Sequence, residues 1–502
     1  MHSFMKSSTF ALLGLAGLSQ AAIVYHNWDL TTQTVSPDGF NRTAALVNGQ
    51  YPGPLLAFNK GDVGMIQVNN QLTDPNIRRS TSIHWHGIFE HRNAENDGPS
   101  FVTQCPIAPN SEIKAEHSDD PDDPNKDLYD VDDETTVITL SDWFHETAVD
   151  LEAAWFAGGP EPVPDSGLIN SAGRFVNGTL VPLTRINVEQ GKRYRLRLIS
   201  LSSMGQFNVS IQNHRMTIIE VEGNPVEPYV VDFLPLLPAQ RYSVVITANQ
   251  SVDNYWISAQ QTVLGATTSP TNPNFNGSDT FAVLHYAGAS SGEPTSSQIF
   301  ASGPVQFNES LLVPLDNSGP FGGSGPADYT YNFTFNTNAS NGDAWFINGI
   351  QYQSPKLPTL LNILSHANML LISATFGTNE HTIILPPNAT IEVALIGGRG
   401  HPFHLHIHPV NLDSGHAFDV IQSASGGGPN RVNPPRRDTV SSGGTTENPV
   451  RIRFITDNPD AGLAVVFAED PAGIRNGPNS VRPDPQWEQL CYIYNQLPPA
   501  LQ

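Results

Sequence analysis

Short alternating runs, broken by turns every few residues, most restrict the folds open to this chain. Tyr194-Arg195-Leu196-Arg197-Leu198-Ile199, Arg241-Tyr242-Ser243-Val244-Val245-Ile246 and Arg451-Ile452-Arg453-Phe454-Ile455 send successive side chains to opposite faces, the period of a β-strand. Thr136–Leu140 reads the same way, and long helical periodicity is scarce. Turn clusters such as Ser269-Pro270-Thr271-Asn272-Pro273-Asn274 separate the runs, and 41 glycines and 41 prolines punctuate the 502 residues. A half-buried sheet must cover its apolar face with a second layer, so the expected fold is all-β, several sandwich-like units in series. The length asks for more than one core. Composition shifts at the acidic, proline-bearing stretch Asp119–Glu134 and at the Ser/Gly/Ala-rich stretch Gly288–Gly303 suggest units at 22–133, 134–300 and 301–502.

Two histidine clusters, His84-Trp85-His86-Gly87 and His401-Pro402-Phe403-His404-Leu405-His406, lie in the first and third of these units. Histidines spaced i, i+2 on a strand share a face, so each pair offers two imidazoles to one place. Most lone histidines are satisfied core or surface groups. Two pairs brought together instead make a nitrogen-rich site of the kind that suits copper or zinc. Such a site requires the first and third units to meet face to face.

The N-terminus reads as a secretory leader over residues 1–21: Lys6, the apolar stretch Phe10–Leu18, and Ser19-Gln20-Ala21 as a small-residue cleavage site. No later apolar run is long enough to span a bilayer, so the expected product is secreted, with no membrane partner. Asn41, Asn177, Asn208, Asn249, Asn276, Asn308, Asn332, Asn338 and Asn388 each begin an Asn-X-Ser/Thr triplet, as in an extracellular glycoprotein. The formal charge of -23 disfavours a nucleic-acid partner, because phosphate backbones would be repelled. Only two cysteines occur, Cys105 and Cys491. In an oxidising compartment their natural fate is one disulfide, tying the first unit to the C-terminal tail; use in catalysis or metal binding is the alternative.

At these residues the chain resembles the fungal laccases, multicopper oxidases of three cupredoxin-like domains. The resemblance runs through Asn48-Gly49-Gln50-Tyr51-Pro52-Gly53-Pro54, the segment His84–Ile107, Asp127–Val131, Asp253–Trp256, Asn433-Pro434-Pro435-Arg436-Arg437-Asp438 and Ala464–Asp470. It implies three Greek-key β-sandwich domains, a monomer, and a secreted enzyme that oxidises phenols and diphenols by single electrons while reducing O2 to water. It also implies four copper ions per chain. A blue type 1 copper, held by two histidines and a thiolate, accepts the electron; a cluster held by four His-X-His motifs reduces O2. By this resemblance His84 and His404 match ligands of the type 2 copper, His86 and His406 ligands of the type 3 pair, and His401 one ligand of the type 1 copper.

The rest of the ligand set is missing. The family's second His-X-His motif belongs between Pro109 and Pro121, where this chain has Asn110–Asp120 with the single His117. The family's His-Cys-His belongs just before Ala461-Gly462-Leu463, which here follows Asp457-Asn458-Pro459-Asp460 directly. Ile407–Ser414, with His408, look like an insertion, since Gly415-His416-Ala417-Phe418-Asp419-Val420 resumes the family pattern. Met204 stands where many relatives have a phenol-binding aspartate, and Ser203 where they have a disulfide cysteine. The first and third domains are therefore expected to be incomplete, and the chain as written to have little or no activity. The type 2 site is the one expected to survive. Misjoined exons and true divergence both account for such local blocks. The competing reading is a non-enzymatic secreted glycoprotein with residual copper binding; a different metal enzyme built on the four cluster histidines lacks a nearby carboxylate motif.

Overall fold

The computed structural model describes residues 22–59, 62–88, 90, 93–109, 112–117, 123–263, 272–275, 280–297, 303, 305–338, 344–366, 369–406, 418–456, 465–477 and 480–498. The leader, His408 with its surrounding insert, Asn276 and the junction at 457–464 lie outside these residues.

The middle of the chain forms a seven-stranded and a five-stranded sheet from strands between Val137 and Tyr286. The runs singled out for their alternation, Arg193–Ser200 and Arg241–Thr247, are adjacent antiparallel strands of the larger sheet. Their inward residues Leu196, Leu198, Val244 and Ile246 are fully buried with Phe207 and Ile257 of the smaller sheet. Burial of that apolar face, at roughly 25 cal/mol per Å², holds the two sheets together.

The first unit is a four-stranded sheet in the order Arg42–Val47, Ile23–Val35, Val63–Asn70, Glu112–His117. Ile23–Val35 pairs in parallel with Val63–Asn70, and Glu112–His117 takes an edge with His117 opposite Gly64. Ile66 and Val68 face a core that includes Trp85 and Ile107, and that core does not end at the domain boundary. Leu360, Ile363, Ile474, Trp487 and Leu490, from three helices of the C-terminal third, complete it. The incomplete first core expected from the sequence is thus closed, in the described residues, by side chains from the other end of the chain.

The helix Pro485–Asn495 makes that closure possible. Pro485 sits in its first turn, where a missing N–H costs nothing, and Asp484 caps it by accepting from the Trp487 N–H at 2.8 Å. Its buried residues Trp487, Leu490, Cys491 and Tyr494 recur at helical spacing on one face. Cys491 is disulfide-bonded to Cys105, 386 residues earlier.

The third unit has a six-stranded sheet containing Tyr329–Asn338, Thr390–Ile396, Phe418–Gln422 and Val450–Ile455. Two short pairs complete it: Thr382–Leu385 with Val466–Glu469, and Pro402–His404 with Thr439–Ser441. Among the described residues no helix is long and apolar enough to cross a membrane.

Candidate metal centre

The residue between the two histidines of each pair is driven into a core; His404 ends the strand Pro402–His404, whereas His84 and His86 lie outside any strand, with His86 in a turn. Trp85 is buried against Trp28, ring centroids 5.3 Å apart, which turns His84 and His86 to the other side. Phe403 and Leu405 are buried in the core of the third unit, and His404 and His406 face away from it. The two pairs meet. Ring centroids lie 3.8 Å apart for His86 and His404, 4.1 Å for His84 and His406, and 5.6 Å for His84 and His404.

Glycine makes the close packing possible at two points. Gly98 has φ +99°, and a Cβ there would lie 1.9 Å from the Ile83 carbonyl oxygen, so only glycine lets this turn pass behind the His84 segment. Gly87 has φ +84°, and a Cβ there would lie 2.6 Å from Arg241 Nη2.

Two buried aspartates orient the imidazoles. Asp97 accepts from His406 Nδ1 through Oδ2 at 2.7 Å, while its backbone carbonyl accepts from His84 Nδ1 at 2.7 Å. Asp438 accepts from His86 Nε2 through Oδ1 at 2.9 Å, and its backbone carbonyl accepts from His404 Nδ1 at 2.7 Å. A carbonyl or carboxylate oxygen can only accept, so each contact fixes a tautomer of the neutral ring. His84, His404 and His406 then present Nε2 as the bare lone pair, and His86 presents Nδ1. The Nε2 atoms of His84 and His404 are buried without a hydrogen-bond partner.

The electrostatics favour the deprotonated ring at His404 and His86 but not at His84. Burial pushes the His404 imidazole down to about 3, and burial also outweighs Asp438 to lower His86. For His84, burial pulls down but the hydrogen bonds and charge of Asp97 raise it overall. Burial works to raise the carboxyl of Asp97, yet His406 and His84 hold it well below the usual carboxylate range. Burial works likewise on Asp438, and Arg241 with His404 and His86 holds it well below that range.

The donor atoms form two overlapping groups, His84 with His86 and His404, and His84 with Asp97 and His406. Within each group the donor atoms lie within 4.8 Å of one another. Imidazole-rich sets with orphaned buried nitrogens fit a first-row transition metal such as copper. His401 stands apart: it belongs to neither group and packs edge-on against Trp345, centroids 5.2 Å apart.

The comparisons with known proteins agree with this geometry. Models of the multicopper oxidase family match residues 29–118, 134–289 and 352–464. The chain belongs to the multicopper oxidase family. It is 45% identical over 491 residues to laccase-4 of Thanatephorus cucumeris, covering 91% of this chain and 89% of the relative. It is 40% identical to laccase-2 of Agaricus bisporus, covering 95% of each. Among solved structures it resembles Fet3p, a multicopper oxidase that functions in iron import, with TM-score 0.79, 26% identity and coverage of 94% of this chain and 95% of that one. The laccase of Botrytis aclada aligns with TM-score 0.75 and 25% identity, covering 95% and 93%.

Against that family the ligand set is incomplete. Both cysteines of this multicopper oxidase are consumed by the Cys105–Cys491 disulfide, so no thiolate exists for a blue copper. At the two divergent positions, the backbone N–H groups of Ser203 and Met204 donate to the buried Asp142 carboxylate at 3.0 and 2.6 Å. Sequence reasoning missed Asp97 and Asp438 as partners of the histidines, although both lie inside segments that carry the family resemblance, His84–Ile107 and Asn433–Asp438. A further signal was the Asn96-Asp97-Gly98 turn. Arg241 and Glu222, which hold Asp438, carry no motif at all.

Proposed function

We propose that the four-histidine centre binds copper, and that the chain as written is a laccase relative without phenol-oxidase turnover. One observation carries the first half: the Nε2 atoms of His84 and His404 are buried, aimed into the centre and unpartnered, at a cost that a metal ion would relieve. Bound copper supplies one-electron redox chemistry, which laccases use to oxidise phenols and reduce O2. The residues of this chain orient their imidazoles through Asp97 and Asp438, and burial keeps the His86 and His404 rings neutral. The type 2 position, between His84 and His404, is the site this arrangement serves best, with His86 and His406 as remnants of the type 3 pair and His401 as a remnant of the type 1 site. The missing thiolate removes the entry point for electrons from a phenol.

We assign the domains to 22–133, 134–300 and 301–502, each of Greek-key cupredoxin type, and the product to the extracellular space as a monomer without nucleic-acid or membrane partners. Exposed Asn41, Asn177, Asn249, Asn332 and Asn388 are open to glycan attachment, whereas Asn208 and Asn308 are partly buried. These sites favour the reading of a secreted, copper-binding glycoprotein. The deciding assay is phenol oxidation and O2 uptake by the secreted chain with copper supplied. The expected result is bound copper, no blue colour and no turnover; sustained turnover sinks the proposal. Sequencing the transcript across codons 105–135, 400–420 and 455–465 separates misjoined exons from true divergence. Recovery of the His-X-His and His-Cys-His blocks there would mark an ordinary laccase behind this sequence.

A further inference from the structure

We propose that Arg241 and Glu222 of the middle unit are positioning residues for the histidine centre, acting through Asp438. The proposal rests on the copper reading above, but its geometry is independent of any metal. Arg241 grips the Asp438 carboxylate with both arms, Nη1 to Oδ1 at 2.7 Å and Nη2 to Oδ2 at 2.6 Å. A bidentate guanidinium fixes the plane of a carboxylate as well as its charge. That plane sets where Oδ1 lies, and Oδ1 is the acceptor that holds the Nε2–H of His86.

Glu222 holds the backbone of the same residue. Its Oε2 accepts from the N–H of Asp438 at 2.8 Å and of Thr439 at 3.0 Å, and its Oε1 accepts from Arg437 Nη2 at 2.6 Å. The carbonyl of Asp438, fixed by this clasp, is the acceptor for His404 Nδ1. Glu222 lies at the tip of the hairpin joining Met216–Val221 to Asn224–Val231, fully buried, with φ +49°. A left-handed glutamate is disfavoured and persists where surroundings over-determine it, as at functional sites. Gly87 supplies the second independent sign. Next to His86, it leaves the space that the Arg241 guanidinium occupies. One residue from each of three units therefore meets at Asp438: Arg241, Asp438 itself and His86.

The rival explanation is generic ion-pair cement between domains. Arg195 is the control: a more deeply buried arginine of the middle unit, paired with Asp123 and Glu220, and absent from the centre. The first readout is the ring-nitrogen NMR spectrum of the metal-free, full-length chain labelled in histidine, with the His86 signals assigned through His86→Gln. Wild type should show His86 protonated on Nε2. Arg241→Met should mix its tautomers, and Glu222→Gln should disturb the His404 Nδ1–H signal, while Arg195→Met leaves both rings unchanged. The second readout is Cu(II) titration, in which Arg241→Met should bind roughly 10–100-fold more weakly than wild type, the usual effect of losing a residue that orients a ligand. If Arg241→Met fails to fold, Arg241→Lys keeps the charge, loses the bidentate plane and should shift the same signals. An unchanged His86 spectrum in the Arg241 variant or an unchanged His404 spectrum in the Glu222 variant overturns the proposal, as does an equal change in Arg195→Met. A wild-type chain that takes up no copper overturns the copper reading alone, because the His86 spectrum still decides the positioning role.

Discussion

The carboxylate of Asp97 lies 2.7 Å from Nδ1 of His406, a residue 309 positions further along the chain. Through its backbone oxygen, the same aspartate holds His84. One short turn in the first unit thus sets the tautomers of one imidazole from each cluster. The arrangement is present in a chain that lacks most of the family's other copper ligands, and four predictions test what it still does.

Copper binding should depend on the inner histidines and not on His401. His84→Ala or His404→Ala removes a donor shared by the described ligand group and should abolish tight Cu(II) uptake in equilibrium dialysis. His401→Ala, which touches neither group, should leave it at the wild-type level. Equal loss in all three variants contradicts the assignment.

Gly98→Ala should disturb the centre more than its size suggests. The new methyl meets the Ile83 carbonyl, and the backbone must leave φ +99°, at a cost of order 1–3 kcal/mol. The relief is movement of the His84 segment, so copper affinity should fall together with the denaturant midpoint. A variant that keeps both values shows that the turn adapts without cost.

Removing the disulfide should loosen the first unit by way of the C-terminal helix. The loop closed by Cys105 and Cys491 spans 386 residues, and the chain-entropy estimate for so long a loop is about 5 kcal/mol as an upper figure. Cys105→Ala with Cys491→Ala should lower the unfolding temperature and expose the helix Pro485–Asn495 to protease. Unaltered proteolysis would mean that Trp487 and Leu490 anchor the helix by themselves.

Acid should weaken the middle unit through His214. Burial lowers its pKa from the ordinary 6.5, while its Nδ1–H donates to the Gln212 carbonyl and Nε2 accepts from the Tyr286 hydroxyl. A histidine held neutral in the fold takes up its proton more readily once unfolded. Its contribution is therefore present above about pH 6.5 and is lost as pH falls toward the lower folded value. The stability of His214→Gln, measured by urea unfolding, should fall less steeply from pH 7 to pH 5 than that of wild type. Parallel slopes would remove His214 from the account.

Much of the fold was legible because local period reports local structure. The alternation at Tyr194–Ile199 and Arg241–Ile246 marked strands, and both runs are neighbouring strands of one sheet, although Tyr242–Ile246 is buried on both faces. The i, i+2 spacing of the histidines announced shared faces for the same reason, and the apolar residues between them supplied the drive that turns those faces outward. The closure of the first core was not legible. The stripe of Trp487, Leu490, Cys491 and Tyr494 is only eleven residues of helix, and nothing in its period says which sheet it will cover.

By itself, the sequence determined the strand-rich architecture, the identity of the four clustered histidines, and the absence of a His-Cys-His motif; that both cysteines go into one disulfide was decided by the structure. Tertiary structure alone decided that the two pairs would face each other, that Asp97 and Asp438 would set their tautomers, and that Arg241 would lie beside Gly87. Two of those contacts, Asp97 with His406 and Asp438 with His86, join residues 309 and 352 positions apart. Hydrogen-bond direction and burial at such separations follow from how domains pack, and a local pattern carries no record of that packing.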